Sequence, residues 1–520
     1  MVNLRQAVFS VIASLLLPPA SHVQEVDTPS KSVAVVGAGS AGLAILKSLL
    51  DLPEDARKGW DIVLYEQRRD VGGIWLPDPN PARPPELPET PLYPLLHTNT
   101  PIPTMTYPGF PFPPNTPLYP SHEHVEQYHQ DYANHYNLMP HIMLNHTVLS
   151  SSWTGNSTNG VWNVVLRDHN HNKIIRTHDH IVVANGHNHY PHTPQFAGQD
   201  AWLRNSPVDG PKREMLHSIW YREPEKFTNR SVVVVGSGAS GRDAASQVCI
   251  KARRTYHSIR DTSNPPVVTD SLVVKPEISH FTSTAIVFVD GSAVSDVDVI
   301  IFGTGYDLRI PFLEEGNELA VKPNAHSNKT YRKGLVTNLR YLFPLHQHVF
   351  SLSPYYPTNA LSFIGLPILV ANCPSDAAQS IYVAHAIANA SLLPDREDLL
   401  RELADIEEDL YSRGYDPYYI GHRMVEGSTF DYQDNLITYL QKHGALPDDG
   451  KKFVEGWRKE SLEYLKRGWK RVEDLDIQHE WLDGVVTEED WANLMRRLNY
   501  WQGTWEKEHG IVYPPEPDFI

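Results

Sequence analysis

Two stretches of the chain share one pattern. "SVAVVGAGSAGLAILKSLL" from Ser32 and "SVVVVGSGASGRDAASQVCI" from Ser231 each run from unbroken apolar residues through a glycine-rich turn into a helix-forming segment. In the first, the apolar positions then recur every three to four residues. An unbroken, β-branched run is the signature of a strand buried on both faces, and the later period is that of a helix laid against it. Each stretch is therefore predicted to open a βαβ unit. Further strands are expected at "DIVLYE", ending on Glu66, and at "GVWNVVLRD", "KIIRTHDHIVVANG", "RTYHSIR", "STAIVFVDG" and "DVDVIIFGTGYD".

Between Leu76 and Pro120 the density of prolines excludes regular helix, and the aromatic content predicts an ordered wrap over the domain. From about Asp395 the pattern turns helical and charged. There Trp457, Trp469, Trp481, Trp491, Trp501 and Trp505 are read as packing anchors. The expected architecture is α/β, with two Rossmann-like dinucleotide-binding domains, the second inserted into the first. The first occupies residues 31–205 and 311–395, the second 206–310, and a C-terminal helical cap follows over 396–520.

The turns carry the chemistry. Gly37, Gly39 and Gly42 in "GAGSAG" fit the G-x-G-x-x-G fingerprint in its required place between strand and helix. The first glycine makes the tight turn, the second admits a pyrophosphate, and the third lets the helix pack closely. Ala38, Ser40 and Ala41 complete this cradle, where the helix N-terminus offers N–H groups and partial positive charge to phosphates. Glu66 ends the next strand, where an acidic side chain binds an adenosine ribose. The second cradle comprises Gly236, Ser237, Gly238, Ala239, Ser240 and Gly241. After its helix, "RTYHSIR" ends on Arg260, and a cation there suits a ribose 2′-phosphate, with Arg253 or Arg254 able to share the role. Two dinucleotides in one chain, the second bearing a 2′-phosphate, point to a flavin reduced by NADPH.

Composition and charge narrow the partners. The chain has 520 residues and a formal net charge of −17, which disfavours nucleic acid and anionic membranes as partners. Cys249 and Cys373 are its only cysteines and are read as small buried hydrophobes. Arg5 followed by an apolar run to Leu17 and "PPASHV" has the layout of a signal peptide spanning residues 1–20. Sequons at Asn145, Asn156, Asn229, Asn328 and Asn389 agree with entry into the secretory pathway. No apolar tail suited to a membrane anchor follows, oligomeric state is not legible, and the "HNHNK" and "GHNHYPH" histidines are read as solvated loops with no metal.

Six motifs in order make a family resemblance. "GAGSAG", "VGGIW" (Val71–Trp75), "HTNTP" (His97–Pro101), "VVANGH" (Val182–His187), "GSGASG" and "FGTGYD" (Phe302–Asp307) together resemble the flavin-containing monooxygenases over roughly residues 31 to 395. The resemblance implies FAD in the first cradle, with Glu66 on its ribose and Ile74 and Trp75 along the cofactor. It implies NADPH in the second cradle, with Ser237 and Ser240 near its phosphates. Asn99, flanked by Thr98 and Thr100, matches the asparagine beside the flavin ring, where an amide donates and accepts without titrating. Thr304 and Gly305 match one of two inter-domain crossings, "ANG" at Ala184 to Gly186 is an altered form of the other, and Gln379 resembles a family glutamine near the active site.

The implied reaction consumes NADPH and O₂ and oxygenates a soft nitrogen or sulfur of a small molecule through a flavin C4a-hydroperoxide. Baeyer–Villiger monooxygenases and flavin oxidases share the plan and stay open as readings, as does a secreted flavin-binding protein without activity. His217 in "PKREMLHSIWYR" is followed by Tyr221 and Arg222, whereas the Baeyer–Villiger class places an aromatic residue and a proline after its histidine. That difference favours heteroatom oxygenation, and His217 is read as a hinge between the nucleotide domains. Leader, sequons and family together resemble tailoring enzymes of specialised metabolism in filamentous fungi.

Overall fold

The computed structural model describes residues 29–207, 210–263, 265, 269–326, 333–425 and 428–512. The expected leader and Asn328 lie outside the described residues. The first apolar run forms β1 (Lys31–Val36) and passes into α1 (Ser40–Leu50), β2 (Trp60–Tyr65), α2 (His122–His135) and the short β3 (Ile142–Met143). An antiparallel three-stranded sheet follows, β4 (Thr147–Gly155), β5 (Gly160–Arg167) and β6 (Lys173–His178), before the chain returns through β7 (His180–Val183).

The second unit contains β8 (Glu214–His217), β9 (Ser231–Val235), α3 (Ala239–Lys251), β10 (Arg254–Ser258), β11 (Leu272–Lys275) and β12 (Val299–Phe302). The chain then completes the first sheet with β13 (Leu345–His346), β14 (Phe350–Ser351) and β15 (Leu361–Phe363).

The first sheet has the order β13-β14-β15-β7-β1-β2-β3, and its central members run parallel. The second has the order β11-β10-β9-β12-β8, parallel throughout. Both are twice-covered sheets, which explains why β1 and β9 read as unbroken apolar runs rather than alternating ones. In each, the glycine turn leaves the carboxyl end of a central strand, beside the crevice where open α/β sheets bind ligands. Phe196 and Trp202, ahead of β8, pack into the core of the second unit with Val233, Tyr256 and Phe302.

The C-terminal helices are α4 (Asn372–Ala388), α5 (Arg396–Ser412), α6 (Ser428–Lys442), α7 (Leu465–Asp474) and α8 (Glu488–Glu508), with shorter helical turns between them. α8 starts on a capping box, in which Thr487 Oγ1 accepts from the Asp490 N–H and the Asp490 carboxylate accepts from the Thr487 N–H. Beyond Asp395 the expected helices are present and pack onto the first unit. Leu465, Trp469, Trp491 and Leu498 share one core with Leu43 and Leu46 of α1, Val383 of α4, and Ile102, Tyr107, Phe112 and Leu118 of the proline-rich wrap.

At about 25 cal/mol per Å² of apolar surface, large aromatics such as Trp469 and Trp491 are strong contributors to this junction. Arg458 locks it, donating to Pro103 O at 2.5 Å, Thr106 Oγ1 at 3.1 Å and Glu488 Oε1 at 3.1 Å. Arg471 lies against Trp501 and Trp505, 4.0 and 4.1 Å from their ring centroids. Cys249 and Cys373 are buried and unpaired with each other.

Candidate functional site

The first turn is built by close backbone packing. Gly37 has φ +105°, and a Cβ there would stand 2.5 Å from the Ala184 carbonyl oxygen. A Cβ on Gly42 would lie 1.8 Å from Gly37 O, so only glycine allows α1 to sit on the turn. Ala38 and Ala41 are buried, while Gly39 and Ser40 are half-buried at the helix start. The turn carrying Ile74 and Trp75 comes down on Gly39, since a Cβ on Gly73 would be 2.8 Å from Gly39 Cα.

Glu66 is buried beneath this cradle. Its Oε2 accepts from the Ala38 N–H and its Oε1 from the Arg68 N–H, both at 2.7 Å. Burial pushes its carboxyl up from the ordinary value, opposed by those N–H donors and by the Arg68 charge. A carboxylate oxygen with one donor keeps a lone pair for a ribose hydroxyl.

Sequence reasoning missed Arg68. Its guanidinium donates to the carbonyls of Gly73 (2.8 Å), Leu76 (2.7 Å) and Pro77 (3.0 Å) and pairs with Glu89, clamping the loop that covers the turn. Asp376 was missed as well. It is 2% exposed on α4, accepts from Ser40 Oγ at 2.8 Å, and is pushed up to about 7 by burial. An isolated Asp in a helix carries no sequence signal, since its importance comes from a contact 336 residues away.

Thr98 is pinned by its N–H on Pro120 O, and its Oγ1 is buried with no hydrogen-bond partner among the described residues. Thr100 Oγ1 approaches Met105 Sδ at 3.7 Å, and Asn99 is exposed with its amide unbonded within the described chain. The exposed Asn99 amide is thus free to donate and accept.

The second turn repeats the geometry with a different surface. Gly236 has φ +109° and a Cβ there would meet Gly303 O at 2.4 Å, while a Cβ on Gly241 would meet Gly236 O at 2.0 Å. Here Ser237, Gly238 and Ala239 are exposed, Ser240 is half-buried, and nothing lies within 4 Å of the Gly238 Cβ direction. The N-terminus of α3, with no acidic residue in its first turn, thus faces open space.

Arg260 lies just past β10, exposed, paired with Glu277 at 3.0 Å and donating to Tyr419 OH at 3.1 Å. Arg253 and Arg254 cannot share its role. Arg254 pairs in register with Ser231 and Ser258 with Val235, so both arginines sit at the end of the sheet away from the glycine turn. Arg253 instead pairs with Asp298 and donates to Ser231 Oγ.

The two crossings between the units are bonded to each other. Tyr190 and Pro191 pair with Asp307 and Tyr306, His192 N donates to Gly305 O, and Thr304 Oγ1 donates to His192 O at 2.5 Å. His217 joins them. Its Nδ1 accepts from Ile219 N, so the hydrogen sits on Nε2, which donates to Gly305 O at 2.9 Å. Burial lowers this imidazole to about 4, so it is a neutral strut at pH 7 rather than an acid–base group. The linker beyond it grips the wrap, with Trp220 Nε1 on Glu86 O, Arg222 on Thr90 O and Tyr93 OH on Asp243.

The histidines of "GHNHYPH" are not all solvated. His187 and His189 are lowered by burial, and His192 pairs with Asp307 at 2.8 Å, whereas His169 and His171 are exposed.

Two parallel sheets with glycine turns at their carboxyl ends, joined by two bonded crossings, define a protein with two dinucleotide-type cradles. Comparison with known proteins gives the class a family. The family described as "Flavin-binding monooxygenase-like" matches residues 30–264 and 259–448. An Arabidopsis thaliana protein named Flavin-containing monooxygenase FMO GS-OX-like 4 is 29% identical over 486 residues, covering 87% of this chain and 95% of its own.

Among solved structures, S-allyl-L-cysteine S-oxygenase from Allium sativum superposes with TM-score 0.68 at 23% identity, over 91% of this chain and 99% of its own. Cyclohexanone monooxygenase from Rhodococcus sp. Phi1 bound to NADP⁺ superposes with TM-score 0.51 at 13% identity, over 80% and 98%. This chain belongs to the flavin-binding monooxygenase-like family. It is a flavin-containing monooxygenase that uses FAD and NADPH with O₂ on a small-molecule substrate.

Proposed function

We propose that the enzyme oxygenates a soft nucleophilic nitrogen or sulfur of a small molecule, in the manner of a tailoring enzyme. The observation that carries this reading is the linker after His217. Arg222 donates to Ile219 O at 2.8 Å, Tyr221 O at 2.6 Å and Thr90 O at 3.3 Å, so the linker runs Tyr-Arg with the arginine bound to the wrap, where ketone oxygenases carry a proline. FAD, when bound, supplies the redox and oxygen chemistry. The protein's part is to hold it at Glu66 and the α1 N-terminus, to place Asn99 and Thr98 against it, and to receive NADPH at Ser237–Gly241 with Arg260 on its 2′-phosphate. His217, unable to titrate near pH 7, keeps the two units in register.

Incubation with NADPH, air and, separately, thioanisole, N,N-dimethylaniline and cyclohexanone tests the reading. Sulfoxide or N-oxide without lactone supports it, and lactone as the main product overturns it.

We propose further that the enzyme works in the lumen of the secretory pathway, where NADPH is present. The leader and the exposure of Asn145, Asn156, Asn229 and Asn389 support this. Glycosidase-sensitive mobility is the expected result, and an unglycosylated protein with an intact N-terminus would refute it.

A further inference from the structure

A pair of histidines outside the cofactor motifs stands at the same end of the first sheet as the FAD cradle. Phe363 N donates to Val349 O at 2.8 Å, which fixes the turn between β13 and β14 beside the carboxyl end of β15. In that turn Val349 N donates to His346 O, and the two central residues, Gln347 and His348, have φ of +51° and +57°. Two left-handed residues make a type I′ turn, which ordinarily takes Asn-Gly. A glutamine and a histidine there hold a strain of the kind that persists where a side chain is needed in place.

The partner of His348 is His422. His422 is 3% exposed, and its backbone is held by the Ile368 N–H donating to its carbonyl at 3.0 Å. Leu342 N donates to His422 Nε2 at 3.0 Å, so the hydrogen of the neutral ring is on Nδ1. That Nδ1–H donates to His348 Nδ1 at 2.9 Å, which leaves the His348 hydrogen on Nε2. A second proton on either ring would set two N–H groups face to face or evict the Leu342 N–H. Burial lowers His348 to about 4 and also lowers His422 from the ordinary value, with the neighbouring His348 and His187 acting in the same direction on His422.

Among the described residues His348 Nε2 has no hydrogen-bond partner, and the residue is only partly buried, which leaves this N–H free to donate. A relay of packed side chains links His348 to the cofactor cradle at the same end of the sheet. The Tyr432 ring lies 6.0 Å from His348, and Tyr432 OH accepts from Gln379 Nε2, whose Oε1 accepts from Gly365 N. A Cβ on Gly365 would touch Ala41 and Asp376, and the neutral His187 ring bonds to the Gly365 backbone. The groups along this relay are neutral imidazoles and a phenol, with the Asp376 carboxyl behind Gly365. These groups offer an anion no fixed positive charge.

We propose that His348 is a specificity residue of the oxygenation site: its Nε2–H, held in one tautomer by His422, donates to an uncharged carbonyl or amide oxygen of the substrate. The enzyme then selects neutral molecules that carry such an oxygen beside the heteroatom to be oxidised. This rests on the heteroatom reading above, so the test reads binding and turnover separately.

The FAD-loaded enzyme is titrated, and then turned over with NADPH, using thioanisole, 4-(methylthio)benzamide and 4-(methylthio)benzoate. The wild type is expected to bind the amide about tenfold more tightly than thioanisole, with no gain for the benzoate. His348→Gly relieves the left-handed backbone but leaves the buried His422 Nδ1–H without its acceptor, so its melting temperature is recorded to confirm folding, and it should bind the amide no better than thioanisole. His422→Leu should weaken the preference in the same way. A wild type that binds the amide no better than thioanisole, or a His348→Gly variant that keeps the preference, overturns the proposal. If the amide preference depends on His348 but no probe is oxidised at sulfur, the heteroatom reading falls and only the binding role of His348 is upheld.

Discussion

The two glycine turns have nearly the same backbone and opposite surroundings. At the first, the Gly73 loop descends on Gly39, Glu66 is buried beneath the cradle, and no residue from Gly37 to Gly42 is exposed. At the second, Ser237, Gly238 and Ala239 face solvent. A walled cradle suits a group that stays and an open one suits a group that comes and goes, as a resident flavin and an exchanging nicotinamide require. The fingerprint is common to both, and the covering loop makes the difference.

Glycine replacements separate the two turns most strongly. Gly37→Ala forces a Cβ against Ala184 O, and we expect a loss of at least about 4 kcal/mol together with loss of bound flavin. Gly236→Ala meets Gly303 O in the same way, but its damage should be confined to the second unit, giving a yellow protein that NADPH reduces at least about 100-fold more slowly. Flavin content and anaerobic reduction rates of the two variants check this, and equal flavin loss in both would erase the distinction.

Next in size is Asp376, which reports on the walled cradle alone. Its folded pKa of about 7 lies above the ordinary 3.8. Between those values the folded chain holds a proton that the unfolded chain has lost, so this residue's contribution falls as pH rises from about 4 to about 7 and stays low above that. Asp376→Asn should therefore match the wild type in Tm near pH 4 and exceed it above pH 7, by about 2–4 kcal/mol of stability. A constant difference across pH would show that the carboxyl does not titrate there.

The smallest effect belongs to the open site. Arg260→Ala should lower the kcat/KM preference for NADPH over NADH about tenfold with little change in Tm. An unchanged preference would confine Arg260 to its contacts with Glu277 and Tyr419.

Strand, glycine turn and helix are local in sequence, so both nucleotide units were legible there, as were Glu66 and the order of the motifs. What escaped depends on distant contacts. Arg68 matters because its guanidinium reaches the carbonyls of the covering loop. Arg253 and Arg254 looked interchangeable with Arg260 until the strand register put them at the far end of β10. The tryptophan-rich tail was legible as helices, but amphipathic helices do not say which core they join. Solvated loop histidines and those of the His348–His422 pair look alike in sequence, and only a fold that brings together residues 74 apart distinguishes them.

The most direct test of the account is anaerobic mixing of the purified protein with NADPH. The account predicts a yellow protein whose flavin absorbance bleaches on mixing and returns with air. A yellow protein that NADPH leaves unbleached would contradict it.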